Sequence, residues 1–209
     1  MTGEPLRAVD GRVPGRRGRA TRDKLLRATN DLLAKRSYRD LTVVEIAKRA
    51  RTSTATFYQY FTDVEAAIAE LAHALAEEGP HLVEIINNGA WRTDGYEDAL
   101  KLVDAFVDLW ERHSTILRVV DLATAEGDLR FRNIRTHLLS QVTDALRDAI
   151  VRACDGKVEP RAQAAALVSL LAHVAEHRYG FEFWGIRLED MRRSTARLVA
   201  WGVNGREPS

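Results

Sequence analysis

Four hydroxyl-bearing side chains crowd into a short polar segment in the first third of the chain: Thr54, Thr56, Tyr58 and Tyr60. Threonine and tyrosine donate hydrogen bonds to DNA phosphates and contact base edges. Residues 42–65, which contain them, carry two short helical patterns separated by a break at residues 51–52. The segment therefore predicts a helix-turn-helix whose second helix, at about residues 54–61, reads DNA.

Local capping signals define the helices that must position these hydroxyls. Thr42 followed three residues later by Glu45 is a capping box, in which two side chains satisfy free N–H groups at a helix start. Ser53 predicts the cap of the next helix, and Asp63 predicts the cap of a third. A longer helix precedes them at about residues 21–36. The apolar residues predicted to form their common core are Leu25, Leu32, Ile46, Phe57 and Phe61.

Charge is divided unequally along the chain. Residues 1–60 carry 14 lysine and arginine residues against 6 acidic ones, whereas residues 61–209 carry 17 against 24. The net charge of +1 hides this division, which is typical of a nucleic-acid-binding part joined to a part with another task. The alternative, in which residues 42–65 are only a helical turn of a larger bundle, leaves the cations beside it unexplained.

The first 20 residues are rich in arginine, glycine and proline. Without an apolar run, the segment is predicted to be a flexible basic arm rather than a signal peptide. Such an arm beside a helix-turn-helix can enter the minor groove or follow phosphates. The arm residues predicted to contact DNA are Arg16, Arg17 and Arg19. The alternative is a solvated tail with no fixed contact.

Residues 21–66 resemble the DNA-binding domain of the TetR family of bacterial transcriptional regulators. The resemblance rests on LTVVEIAKRA (41–50), STATFYQYF (53–61) and DVEA (63–66). It implies that Thr42, Tyr58 and Tyr60 hold phosphates. It also implies that Thr54, Ala55 and Thr56 face the major groove.

Three positions depart from the pattern of that family. Arg51 stands where the family usually has glycine in the turn, so either the turn differs or Arg51 reaches DNA. Val44 stands where a polar, DNA-facing residue is common. Val64 replaces a lysine that usually contacts phosphate, so that contact is expected to be missing.

The chain beyond residue 63 shows helical spacing throughout, with no alternating strand pattern. The predicted fold class is all-α: an N-terminal three-helix helix-turn-helix domain followed by a larger helical ligand-binding and dimerisation domain. The predicted divisions are the arm at 1–20, the helix-turn-helix domain at 21–66 and the helical domain at 67–209. No phosphate-binding glycine loop or nucleophile motif is apparent, so we expect a non-enzyme without a cofactor.

The single cysteine, Cys154, excludes an intrachain disulfide. No run of about 18 apolar residues is present, so no membrane span is expected. The sequence therefore predicts a soluble, cytoplasmic protein.

The predicted helix at 160–179 is apolar almost all round. Such a helix must be buried on both sides, and a second copy of the chain is the simplest cover for one of them. We expect a homodimer formed by this helix and the last one, at about 188–202, as the family resemblance also implies. The predicted interface residues are Leu167, Val168, Leu171, Leu198 and Trp201. The alternative is an internal helix of a monomer.

Aromatic residues cluster in the C-terminal part, where cavities between helices have mostly apolar walls. Resemblance to the family implies an effector pocket there, whose occupancy moves the helix at 63–78 and releases a repressor from its operator. We expect a small, largely apolar effector. The predicted contacts are Phe106, Trp110, Leu117, Phe131, His173, His177, Phe183 and Trp184.

Two alternative functions follow from other features. His173, Glu176 and His177 match H-x-x-E-H, a zinc-peptidase signature, in which two histidines one turn apart share a helix face. A metal-sensing regulator is therefore an alternative, although the main prediction includes no metal. The other alternative is a helical small-molecule-binding module without a specific role on DNA.

Overall fold

A computed structural model describes residues 15–76, 78–154, 156 and 158–205. These residues form α-helices, two short 3₁₀ turns and connecting loops, without a strand, which confirms the predicted all-α class. The helices are α1 Arg16–Leu33, α2 Val43–Arg49, α3 Thr54–Tyr60, α4 Val64–Ala76, α5 Gly79–Asn87, α6 Tyr96–Ala125, α7 Leu129–Ala153, α8 Pro160–His177 and α9 Leu188–Asn204. The 3₁₀ turns are Tyr38–Asp40 and Gly180–Trp184.

The described chain forms two compact units. The first unit comprises the described residues within Met1–Ala74 together with Thr115–Ile134. The second comprises those within Leu75–Ser114 and Arg135–Ser209. Each unit therefore combines distant stretches of sequence.

The core of the first unit holds α1, α2 and α3 together. Leu25, Ile46 and Phe57 are inaccessible to solvent, and the rings of Phe57 and Phe61 lie 5.4 Å apart. Four of the five predicted core residues are therefore buried. Leu32 is only half-buried, because the register of α1 turns its neighbour Leu33 inward instead.

A partly buried ion pair joins α1 to α4. The guanidinium of Arg22 donates two hydrogen bonds to the Glu70 carboxylate and lies over the ring of Phe61, 5.3 Å from its centre. Burial lowers the pKa of Arg22 below its ordinary value. Removing Glu70 would leave the buried Arg22 charge uncompensated and would destabilise the chain.

α6 contains a break at His113, whose φ of −119° and ψ of 15° are not helical. The sequence predicts two helices, at about 95–112 and 114–125, and the structure places the boundary between them inside one continuous element. Glu78 binds both sides of the break, accepting a hydrogen bond from Arg112 at 2.6 Å and pairing with the His113 ring. Burial raises the pKa of Glu78, but the bonds and charges of Arg112 and His113 outweigh it and lower the pKa.

The core of the second unit explains why α8 is so apolar. Leu171 and Ala175 are buried within the chain itself. Close approach of α9 depends on Gly202, where an added Cβ would lie 2.7 Å from the Leu167 side chain. Arg178, which follows α8, is buried and binds Glu111 at 3.3 Å.

No helix among the described residues is long and apolar enough to cross a membrane.

Candidate nucleic-acid interface

The start of α2 is built by the predicted capping box. Glu45 N–H donates to Thr42 Oγ1 at 3.3 Å, and Thr42 N–H donates to the Glu45 carboxylate at 3.1 Å. Hydrogen bonds from the Thr42 side chain and backbone lower the pKa of Glu45, and Arg36 adds a smaller effect. Thr42 is exposed, and the two capping hydrogen bonds fix its position at the helix start.

The start of α3 depends on Ser53, whose hydroxyl accepts from the Thr56 N–H at 3.1 Å. The Ser53 and Thr56 hydroxyls also lie 2.9 Å apart, and Thr56 is half-buried. The Thr56 side chain is therefore engaged within its own helix, which leaves less of it for a base edge than the sequence suggests.

The outer surface of α3 and α2 carries other predicted DNA contacts. Thr54, Ala55 and Tyr58 are exposed on α3, and Tyr60 is half-buried. Val44 on α2 is 64% exposed, which is unusual for a valine and leaves its side chain free for an apolar contact. The rings of Tyr58 and Phe57 pack edge-on with their centres 5.8 Å apart. The Tyr58 side chain thus contacts the core residue Phe57 while about half of it remains exposed.

The turn between α2 and α3 keeps its shape despite the arginine. Thr52 N–H donates to Ala47 O at 2.9 Å and Arg51 N–H donates to Lys48 O at 3.2 Å, which is a Schellman motif. Arg51 has a φ of 56°, in the left-handed region that favours glycine. Its side chain is exposed and has no ion-pair partner in the described part of the chain. The turn thus combines an exposed cation with a left-handed backbone conformation.

Other exposed cations lie on α1 and α2. The side chains of Arg16, Arg17 and Arg19 are exposed on the first turns of α1 and form no ion pair among the described residues. Lys48 is likewise exposed, whereas Arg49 pairs with Asp31 at 2.6 Å.

The arm prediction needs one correction. α1 begins at Arg16, not at about 21, so the last five residues of the predicted flexible arm are helical. The helix extends because Arg16–Ala20 contains good helix formers and a single glycine. Residues 1–14 lie outside the described residues.

Val64 and Asp63 set the start of α4. Val64 is buried, and the absence of a phosphate contact at this position stays a prediction. Asp63 caps α4 as predicted, accepting from the Ala66 N–H at 2.6 Å.

Family profiles match both parts of this architecture. The profile described as bacterial regulatory proteins, tetR family, matches residues 25–71. The profile described as tetracyclin repressor-like, C-terminal domain, matches residues 82–209. The chain belongs to the TetR family. Because members of this family are transcriptional regulators, the expected non-enzymatic class is confirmed.

Curated relatives include uncharacterized HTH-type transcriptional regulators of Mycobacterium bovis and Mycobacterium tuberculosis, 39% identical over 70 residues. The match covers 34% of this chain and spans only 33% of the length of each relative.

Solved structures similar to this TetR-family chain share its fold over most of their length. The fatty acid degradation regulator FadR from Bacillus halodurans has a TM-score of 0.67 and 18% identity, covering 90% of this chain and 97% of that one. FadR from Bacillus subtilis in complex with stearoyl-CoA has a TM-score of 0.67 and 16% identity, with coverages of 87% and 98%. A putative TetR-family regulator from Syntrophomonas wolfei has a TM-score of 0.68 and 16% identity, with coverages of 88% and 94%.

Two of the predicted effector residues of this TetR-family chain form a buried aromatic pair in the second unit. The rings of Phe106 and Trp110 stack at 6.0 Å, and both side chains are buried. The indole Nε1 of Trp110 is buried without an acceptor in the described structure. A buried donor without a partner costs about 1–3 kcal/mol.

The other predicted effector residues divide into buried and exposed groups. Leu117 and Phe131 are buried and belong to the first unit. Phe183 is 92% exposed, and Trp184, His173 and His177 are also exposed. The prediction that Phe183 and Trp184 line an apolar pocket is wrong for the described chain, because the 3₁₀ turn holding them directs both rings to solvent.

Sequence reasoning missed a surface cleft of about 430 Å³ in the first unit. Residues 34–38 line one wall, and Arg118, Val119 and Leu122 line the other. None of the predicted effector contacts lies in this cleft. Its two walls are some 80 residues apart in sequence, so no local pattern joins them.

The predicted dimer residues also divide. Leu167, Val168 and Leu171 are buried against their own chain, whereas Leu198 is 48% and Trp201 37% exposed. The prediction assigned the wrong face of α8 to a partner, because an all-apolar helix gives no sign of which side its own chain covers. The exposed face of α8 instead carries small residues that the prediction omitted: Ala162, Ala165, Ala166 and Ser169.

Proposed function

We propose that this TetR-family regulator binds operator DNA as a homodimer, with α3 as its reading helix. The observation that carries the proposal is the outer surface of α3, where Thr54, Ala55 and Tyr58 are exposed. Nearby in the chain, Lys48 and Arg51 are exposed cations that form no ion pair with any described residue. A cationic surface studded with hydroxyls suits phosphate contact and base contact together. The cytoplasm, where operator DNA lies, is the proposed site of action.

Fluorescence anisotropy with duplex DNA from upstream of the regulator's own gene tests this proposal. We expect binding that exceeds that of a scrambled duplex by about a thousandfold and that weakens steeply with salt. Equal binding to both duplexes would contradict the reading role of α3 and favour the alternative of a small-molecule-binding module.

The three arginines on the first turns of α1 provide a second measurement. Each phosphate that a protein neutralises contributes about 0.9 to the slope of log K against log salt. Changing Arg16, Arg17 and Arg19 to glutamine should therefore reduce the slope by about 2 to 3. The matched control changes Arg92, Lys101 and Arg152, which are exposed in the second unit and lie outside α8 and α9, and should leave the slope unchanged.

We propose that two copies associate through the outer faces of α8 and α9. Leu198 and Trp201 leave apolar surface uncovered on α9, and the small residues Ala162, Ala165 and Ala166 leave α8 open to close approach. Small residues permit tight helix packing and large apolar residues supply buried area, which together suit an isologous interface. Two reading helices then meet the two half-sites of an operator.

For the effector we propose a largely apolar molecule with one hydrogen-bond acceptor, whose binding releases a repressor from DNA. The Trp110 indole N–H supplies the unsatisfied donor, beside the apolar ring of Phe106. FadR of Bacillus subtilis, a structure of the same fold, is in complex with stearoyl-CoA, so long-chain acyl compounds are the first class to assay.

Trp110→Phe distinguishes the hydrogen bond from the apolar contact, because it removes the indole N–H and keeps an aromatic ring. We expect this variant to raise the dissociation constant of an acyl ligand by about tenfold in a calorimetric titration, because one buried hydrogen bond is lost. Trp184→Phe, an exposed tryptophan of the same unit, is the control. Equal affinity for wild type and Trp110→Phe would exclude Trp110 as the ligand's donor.

A further inference from the structure

Three metal-ligating side chains lie together on one exposed turn of α8. His173, Glu176 and His177 each offer a ligand atom, and these atoms all lie within 4.8 Å of one another. The two imidazole rings stack with their centres 4.1 Å apart. All three side chains are exposed, so an ion from solvent reaches them without any movement of the core.

A backbone hydrogen bond orients one of the rings for metal binding. His177 Nδ1 lies 3.3 Å from the carbonyl oxygen of His173. A carbonyl only accepts, so Nδ1 carries the proton in this bond and Nε2 keeps its free electron pair. Metal-binding histidines in proteins are usually fixed in this way, by donating their second ring nitrogen to a carbonyl or carboxylate. The arrangement therefore presents Nε2 of His177 as a ligand.

Glu176 supplies a carboxylate beside the two rings. Its nearer oxygen is 3.7 Å from His177 Nδ1, the nitrogen that carries the proton, so the carboxylate must turn toward Nε2 to share an ion with it. Two imidazoles and one carboxylate form a common ligand set for Zn²⁺, which binds them at about 2.0–2.2 Å and leaves one tetrahedral position open. Binding requires side-chain rotations that unstack the rings and bring ligand atoms now within 4.8 Å to the separation of about 3.3 Å that such bond lengths require.

We propose that His173, Glu176 and His177 form a site for one borderline divalent cation, Zn²⁺ being the best match to their donor atoms. The fourth position is open to water or to a donor from another molecule. The cluster continues the exposed stripe of Ala162, Ala166 and Ser169 along α8. The metal site does not depend on the proposed homodimer. Only a further effect of the ion on dimerisation would rest on that proposal.

Isothermal titration of the tag-free full-length chain with ZnCl₂ tests the site. We expect one ion per chain, and a loss of affinity of about 10- to 100-fold or more for His173→Ala and for His177→Ala. Glu176→Gln should give a smaller loss, because it removes the charge of the carboxylate and keeps one oxygen. Replacing Zn²⁺ by Co²⁺ should give visible absorption bands that both histidine variants lose.

His137→Ala is the matched control, because His137 is an exposed histidine on α7 away from the cluster. It should bind Zn²⁺ as wild type does. An equal loss in His137→Ala, or stoichiometric binding that survives in the His173→Ala/His177→Ala double variant, would overturn the site. Absence of stoichiometric binding at micromolar Zn²⁺ would do the same. Helical content measured by circular dichroism confirms that each variant is folded.

These outcomes are independent of operator binding, because metal content is measured on free protein. A chain that binds Zn²⁺ through His173 and His177 but shows no operator preference would retain the metal site and lose the proposed function. The reverse result would retain the function and lose the site.

Discussion

The surface around α3 and the outer faces of α8 and α9 both expose side chains, but their chemistry is opposite. The first surface exposes hydroxyls and cations, such as Tyr58 and Arg51. The second leaves apolar and small side chains, such as Leu198 and Ala166. The first therefore suits a polyanion, and the second suits another apolar surface.

The two regions also differ in how firmly each is held locally. α2 and α3 are each seven residues long, too short to be stable alone, and both depend on side-chain caps at Thr42 and Ser53. α8 and α9 have 18 and 17 residues and draw their stability from a large buried core. Short capped helices place a few contacts accurately, while long helices provide buried area.

The largest expected effect concerns the apolar surface. Leu198→Glu should raise the dissociation constant of the dimer by about a hundredfold, because a charge would be buried at the interface. Sedimentation velocity over a range of concentrations measures it. Val151→Glu, at an exposed apolar position on α7, is the control and should not change association. If both variants dimerise as wild type does, the interface lies on another face.

Tyr58→Ala tests the polar surface. The loss of one phenol from a phosphate should weaken operator binding by about tenfold. The melting temperature should fall only slightly, because the side chain is 53% exposed and loses only its edge-on contact with Phe57. Tyr58→Phe keeps the edge-on contact with Phe57 and removes only the hydroxyl. Tyr179→Ala removes an exposed tyrosine of the second unit and should bind DNA normally. If Tyr58→Ala instead lowers the melting temperature enough for partial unfolding to explain the weaker binding, Tyr58 supports the fold and not the DNA contact.

Arg51→Gly should move stability and affinity in opposite directions. Relief of the left-handed backbone should stabilise the chain by about 1 kcal/mol, while loss of the cation should weaken DNA binding severalfold. Urea unfolding and anisotropy measure the two quantities on the same samples. Arg51→Asn tolerates the left-handed region and also lacks the charge, so it should reproduce the loss of affinity. Unchanged affinity in both variants would show that the cation does not touch DNA.

The smallest expected effect is a loss of folding stability at acid pH through the capping box of α2. The pKa of Glu45 is lowered in the folded chain, so the unfolded chain binds its proton more readily. The stabilisation from the capping box is therefore present above the ordinary carboxyl value of 4.5 and is lost as the pH falls below it. The urea midpoint of Glu45→Gln should fall less between pH 6 and pH 3.5 than that of wild type. Glu97→Gln, at an exposed position in the first turn of α6, should fall as wild type does.

Local signals in the sequence predicted the helix-turn-helix well. Thr42, Ser53 and Asp63 all cap the helices assigned to them, since a cap depends only on residues within one turn. The break in α6 at His113 was predicted as a boundary for the same reason.

Features that depend on distant contacts were predicted poorly. Periodicity placed Leu167 and Leu171 on a partner-facing side, but packing of α9 around Gly202 covers that side within the chain. Composition grouped Phe183 and Trp184 with Phe106, although a 3₁₀ turn sends the first two into solvent. The cleft beside Arg118 combines two remote segments and has no signature in either.

The partly buried pair of Arg22 and Glu70 couples α4 to α1. Because separating the two charges is costly, we expect any displacement of α4 at Glu70 to carry α1 with it rather than break the contact.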